Sequence, residues 1–192
     1  MTTRHPNSLT RVNTWVALLR GVNVGGRTIE MAELRRCLTE AGFGEVRTVL
    51  ASGNAVFTDP GSTGTTATRR LKGQVETALR DRFGYDAWVV LVDVRHVRDV
   101  IDDFPFVTDD PAIHPYVVFG SEQAALDELL AAAPDLDLAA EEIAAGRGVV
   151  YWRCPKGRTL ETPFAKLLAK PRFRTSTTSR NLRTLQKILS VA

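Results

Sequence analysis

Residues 16–27 read V-A-L-L-R-G-V-N-V-G-G-R, residues 31–38 read M-A-E-L-R-R-C-L, and residues 46–54 read V-R-T-V-L-A-S-G-N. The first block is an apolar run of strand length that breaks into a glycine-rich loop. In the second, Leu34, Cys37 and Leu38 share a helical stripe with Ala41, and Gly42 supplies a helix stop. The third block is a short strand that turns at Ser52-Gly53-Asn54 and returns through 55–58. A Gly/Ser/Thr stretch at 61–68 leads into a second helical stripe, Leu71, Val75, Ala78, Leu79 and Phe83, ended by Gly84. W-V-V-L-V at 88–92 makes a fourth strand.

This order, βαββαβ, predicts an α+β protein whose residues 14–94 form a ferredoxin-like plait: four antiparallel strands with both helices on one face. Strands one and two then run the same way, so the loop after the first, the turn after the second and the turn before the fourth gather at one end. Runs such as V-A-L-L and W-V-V-L-V are apolar on both faces, while the plait's helices cover only one. Either the second half of the chain or a partner subunit must shield the other.

Residues 95–192 repeat the theme in degenerate form. A short helix over 96–103 and a linker at 105–115 lead to a strand at 116–119. A helix carrying Leu126, Leu129 and Leu130 follows, with Ser121 as its cap. Strands near 136–143 and at 148–154 turn at 146–148. Thr162-Pro163 opens a helix through Leu168, and a last helix over 181–189, capped by Thr178 or Ser179, closes the chain. The expectation is a second plait-like α/β unit (βαββα) with a terminal helix, after a loose leader at 1–13.

Composition narrows the classes. No apolar run approaches the ~20 residues that cross a bilayer, and residues 1–13 lack a secretory apolar segment. Cys37 and Cys154 stand far apart, and His5, His96 and His114 form no ligand spacing. Free thiols in a cytoplasmic protein, with no metal and no cofactor, are the expectation. Charge is segregated: 102–142 holds eleven Asp/Glu and no Lys/Arg, whereas 147–192 holds eleven Lys/Arg and only Glu161. The near-neutral sum favours mutual pairing within this half over a nucleic-acid patch.

The loop at 21–27 follows a strand and precedes a helix, a setting in which backbone N–H groups hold phosphate or carboxylate. It matches neither G-x-G-x-x-G nor G-x-x-x-x-G-K-[ST], so it is no dinucleotide fingerprint and no P-loop. The alternative is a tight connection needing glycine's freedom at Gly25 or Gly26. Ser52 has no nucleophile-elbow context. Trp15, Trp88 and Trp152 fall in strands and are expected in the core or at an interface.

Taken together, A-L-L-R-G-V-N-V-G-G-R at 17–27, M-A-E-L at 31–34, G-F-x-x-V-R-T at 42–48, S-G-N at 52–54 and T-x-R-N-x-x-T at 178–184 resemble the bacterial domain-of-unknown-function family 1697. The resemblance spans nearly the whole chain. It implies a cytoplasmic protein of two plait-like halves and brings no activity or catalytic residues. Residues 155–161, P-K-G-R-T-L-E, depart from the longer N-G-x-G-x-S-K-L-type loop of relatives.

The functional expectation is a small anionic metabolite, phosphorylated or carboxylated, held at the loop end of the first plait. Its contacts would be Arg20, Asn23, Gly25, Gly26, Arg27, Ser52 and Asn54, joined by Arg180 and Asn181 if the second half folds over that end. The alternatives are a nucleic-acid module using the basic C-terminal block and a structural or homodimerising protein with no ligand site. No residue pairing identifies an enzyme.

Overall fold

The computed structural model describes residues 12–20, 29–61, 63–84, 88–134 and 140–192, and its first strand, β1 (Asn13–Arg20), is buried on both faces. After it come α1 (Met31–Glu40), β2 (Gly44–Thr48), β3 (Asn54–Asp59), α2 (Thr65–Phe83), β4 (Trp88–Asp93) and α3 (Val94–Asp102). The second half runs β5 (Ile113–Gly120), α4 (Gln123–Ala131), β6 (Glu142–Gly146), β7 (Val149–Pro155), α5 (Pro163–Leu168), α6 (Pro171–Arg174), β8 (Thr177–Asn181) and α7 (Leu182–Leu189). Both halves build a four-stranded antiparallel sheet, with orders β2-β3-β1-β4 and β6-β7-β5-β8. Position for position these are the same topology.

Alternation along the strands sorts the core into layers. Trp15, Ala17 and Leu19 of β1 point outward, with Phe57 and Leu91, onto α1 and α2. Those helices meet them with Leu34, Cys37 and Leu38, and with Ala67, Leu71, Val75 and Leu79. The i, i+4 spacing of the second set lays one apolar stripe along the sheet, and Gly84 ends that helix at φ 65°.

Val16 and Leu18 of β1 point the other way, with Val56 and Val90, into a seam shared with the second sheet. Val117, Phe119, Val149 and Tyr151 line its far side, and α3 and α7 add Val97, Val100, Leu182, Leu185 and Ile188. A third core, with Val118, Val150, Trp152 and Phe164, lies under α4, α5 and α6. The bare sheet face is therefore covered by the chain's own second half. Burying each such side chain is worth about 1.5–3 kcal/mol, so separating the halves would exhaust the stability of an ordinary domain.

Four details of the second half differ from expectation. Residues 177–181 are a strand, so the second unit is a complete βαββαβ with a trailing helix. T-T-S-R-N shows no apolar alternation, and pairing with β5 is what makes it a strand. The last helix is accordingly capped by Asn181, whose Oδ1 accepts from Arg183 N at 3.0 Å, and not by Thr178 or Ser179. Helix α4 takes Glu122 at its N-cap position with no side-chain bond, so Ser121 is not its cap. Strand β6 begins at Glu142, later than the 136–143 expectation, part of which lies outside the described residues. Thr162 caps α5 as expected, accepting from Ala165 N, with Pro163 in the first turn.

Mutual neutralisation of the charged blocks occurs at one place among the described residues, Arg153 with Glu142. Those two are direct cross-strand partners in the β6–β7 register, and no other described acid of the block is carried to a partner in the basic block. Glu141 is instead buried, accepting from Trp152 Nε1 and Phe164 N at 2.8 Å each, and ties β7 to α5.

Candidate functional site

The alternation that builds the shared seam continues past its apolar end. On β1 the residue following Val16 and Leu18 on the seam side is Arg20. On β4 the run Val92, Val90 ends in Trp88, which stands directly opposite Arg20 in the ladder. On β3 the residue beyond Val56 is Asn54, opposite Leu18. From the second sheet, β8 turns Thr178 and Arg180 to the same side. One end of the seam is thus lined by polar and amphipathic side chains where its interior carries Val and Leu.

Arg180 organises this end. Its Nε donates to Asn54 Oδ1 at 2.5 Å. Nη1 donates to Thr178 Oγ1 at 2.7 Å and to Ser179 O at 2.9 Å. Nη2 reaches the carbonyls of Leu19, Gly53 and Ser52 at 2.7, 3.2 and 3.4 Å. The residue is 7% exposed, and all these acceptors are neutral. Burial first, and Arg20 second, push its pKa down to about 10, so the guanidinium stays charged at neutral pH without a carboxylate beside it. Carbonyl dipoles at the end of β1 and around the 50–53 turn do the solvating.

Arg20 donates from Nη1 to the Thr177 carbonyl, tying β1 to β8 a second time. Its pKa is also held below the arginine norm, mainly by burial and then by the positive charge of Arg174. Arg20 and Arg174 share a cleft of about 710 Å³ with Trp88, Thr175, Thr178 and Ser179. Among the described residues none of Arg20, Arg174 and Arg180 forms an ion pair. Three like charges gather at one mouth, Arg180 just beneath its floor. Chemically the cleft offers hydroxyls, positive charge and one aromatic face. It shows no nucleophile beside a base, and Ser52 Oγ is engaged by Asn54 Nδ2 at 3.0 Å.

The expected contacts separate into groups. Arg20 lines the cleft and Arg180 lies under it. Ser52 is exposed on the adjoining turn. Asn54 is at 0% exposure, its Oδ1 accepting from Arg180 and its Nδ2 donating to Val49 O and Ser52 Oγ. Both ends of the amide are thus engaged within the protein, and Asn54 joins the two halves. Asn181 lies apart from this cleft. One residue beyond Arg180, it points to the opposite face, caps α7 and borders a different cleft with His114, Lys156 and Arg183. Asn23, Gly25, Gly26 and Arg27 lie outside the described residues.

Of the cleft's lining only Arg20 was among the expected contacts, and the two consequential omissions are Trp88 and Arg174. Trp15 and Trp152 are buried as expected, but Trp88 is 49% exposed. Its signal was the seam-side alternation Val92, Val90, Trp88 running off the end of the core. Arg174 was hidden in the basic block, and only the short α6 brings it to the mouth.

The fold and cleft define a class: an α+β protein of two repeated plaits with a basic mouth at one end of their seam. The chain belongs to the family described as Protein of unknown function (DUF1697), whose model matches residues 12–151. Among solved structures it is similar to "conserved bacterial protein SP0830 from Streptococcus pneumoniae", with TM-score 0.76 and 27% identity over 94% of this chain and 99% of that one. A structure of an unknown protein from Galdieria sulphuraria superposes at TM-score 0.27 with 10% identity, covering 94% of this chain and 89% of that one. No curated protein matches. No helix among the described residues is long and apolar enough to cross a membrane.

Proposed function

We propose that the protein binds a small anionic metabolite, phosphorylated or carboxylated, in the cleft at the end of the seam. One observation carries the reading: Arg20, Arg174 and Arg180 converge there with no carboxylate partner among the described residues. Gathering like charges in a partly dry site is unfavourable, and an anion relieves the repulsion while gaining charge-assisted hydrogen bonds. Arg20 and Arg174 make the direct contacts, and Arg180 supplies field from below. The reading is one of binding, since among the described residues of the cleft no nucleophile stands beside a base.

Thermal unfolding with inorganic phosphate, pyrophosphate and di- and tricarboxylates tests it, because a ligand of the folded state raises Tm by mass action. Arg174 is exposed, so Arg174→Glu leaves the fold intact while reversing charge at the mouth. An affinity loss of about tenfold or more is expected. No stabilisation by any anion, or an unchanged affinity in that variant, defeats the reading.

The rival is a nucleic acid on the basic C-terminal block, favoured by Lys170 and Arg172, which are exposed beside Arg174 on α6 and its N-cap. It predicts binding whose logarithm falls steeply and linearly with log salt.

A further inference from the structure

We infer that the anion is a nucleoside phosphate whose base stacks on Trp88. The inference rests on the anion reading above and adds the chemical class of what the anion is attached to.

Trp88 is the residue that a purely electrostatic site does not need. It opens β4, and every other apolar residue of that strand is buried or half-buried, yet Trp88 stays 49% exposed. Its position opposite Arg20 places both side chains on one side of the sheet, with Cβ atoms about 5 Å apart as in any directly paired residues. The indole therefore forms a wall of the same cleft whose charged corner is Arg20 and Arg174. Among the described residues no aromatic ring or cation stacks on it. An unpartnered indole beside a phosphate-sized positive corner matches a ligand that is anionic at one end and flat at the other. Base–aromatic stacking fits that description, because every base presents a π-face.

Size agrees. A cleft of about 710 Å³ lies within the range that small-molecule sites occupy, and it is large enough for a mononucleotide. Thr175, Thr178 and Ser179 complete the lining of the cleft alongside the charged corner and the indole. A bare inorganic anion or a short dicarboxylate would leave the indole wet.

The experiment uses the full chain and its own fluorescence. Trp15 and Trp152 are 1% and 2% exposed, so quenching by a bound base reports on Trp88. The protein is titrated with AMP, ribose 5-phosphate and inorganic phosphate. AMP is expected to quench and to bind about tenfold or more tightly than ribose 5-phosphate. Trp88→Ala should erase that advantage while leaving ribose 5-phosphate within about twofold of wild type, and Trp88→Phe should keep most of it. Circular dichroism of both variants confirms folding, and agreement of the conservative one excludes a mere packing defect. Equal binding of AMP and ribose 5-phosphate, or an AMP advantage that survives Trp88→Ala, overturns the nucleoside assignment and leaves the anion site standing. Binding of none of the three overturns the nucleoside assignment, and the anion reading falls with it when the di- and tricarboxylates fail as well. Affinity for oligoadenylates that rises with each added nucleotide, with AMP no better than ribose 5-phosphate, overturns the assignment in favour of a single strand.

Discussion

Strands β4 and β8 occupy the same place in their sheets, each an edge strand beside the first strand of its unit and each running into a helix. Their chemistry is opposite. The first reads W-V-V-L-V-D and the second T-T-S-R-N. The ends align closely: Asp93 caps α3 by accepting from Arg95 N, and Asn181 caps α7 by accepting from Arg183 N. Counting back from those caps sets Val92 against Arg180. Both face the seam, where Val92 packs into the common core and Arg180 pins the turn of the other half. The same topology thus yields an apolar seal in one copy and a polar clamp in the other. The helices that precede them diverge likewise. Unbroken α2 spans Thr65–Phe83, whereas its counterpart is split into α5 and α6, and the second piece carries Arg174 to the mouth. Both repeats therefore build the mouth: the first gives Arg20 and Trp88, and its twin gives Arg174 and, beneath them, Arg180.

The largest expected effect separates the two strands directly. Arg180→Met keeps length and apolar bulk but strands Asn54 Oδ1 in a buried place and takes a charged donor from the Leu19 carbonyl. A loss of about 3 kcal/mol or more in urea unfolding is expected. Val92→Ala, a small truncation at a half-buried position, should cost about 1 kcal/mol. Equal losses would erase the distinction between seal and clamp.

Of intermediate size are the two caps. Asp93→Ala and Asn181→Ala should each cost about 1 kcal/mol, since each orphans an N–H at a helix start. They should part company on acidification. The Arg95 side chain, and the backbone N–H that Asp93 caps, hold the Asp93 carboxyl below the usual carboxylate range against the cost of burial. Its contribution is present above the unfolded value of about 3.8 and lost as pH falls through the lower folded value. Asn181 has no such dependence. Unfolding midpoints of both variants between pH 7 and pH 3 would show convergence of Asp93→Ala on wild type and a constant offset for Asn181→Ala.

The smallest effect concerns His96, the reciprocal contact. From α3 it reaches the turn between β6 and β7, where a Cβ on Gly148 would lie 3.4 Å from its Nε2, and it meets Phe119 edge-on at 6.5 Å. Burial lowers its pKa most, Arg147 adds to this, and Asp99 and Asp93 oppose. A depressed folded value means that the unfolded chain takes up the proton first. Stability should therefore decline as pH drops below about 6.5, and His96→Gln should flatten that decline. A pH-independent difference between the two proteins would count against a buried neutral imidazole.

Much of the fold was legible because its signals are local. The stripe Leu71, Val75, Leu79 identifies α2 at any distance from its partner, and Gly42 and Gly84 stop helices by their own conformational freedom. Even the covering of the first sheet followed from its two-sided apolar strands. Strand β8 escaped notice because Thr, Ser, Arg and Asn carry no period of hydrophobicity. Its extended form is imposed by the ladder to β5. The site was half legible for a related reason. Arg20 and Arg180 stood out as cations near turns, but Asn54 looked free, and Trp88 looked like core.

Periodicity alone determined two plait-like units and the end at which their loops meet, since side-chain direction repeats every two residues in a strand and every 3.6 in a helix. Tertiary structure decided which polar groups at that end are engaged and which remain open. Arg180 finds Asn54 and Leu19 across 126 and 161 residues of chain, and that pairing is set by the docking of two sheets. Once those acceptors are taken, charge with no carboxylate partner among the described residues remains at Arg20 and Arg174, and an aromatic face remains at Trp88. Burial, a property of the whole packed molecule, makes that remainder a candidate site.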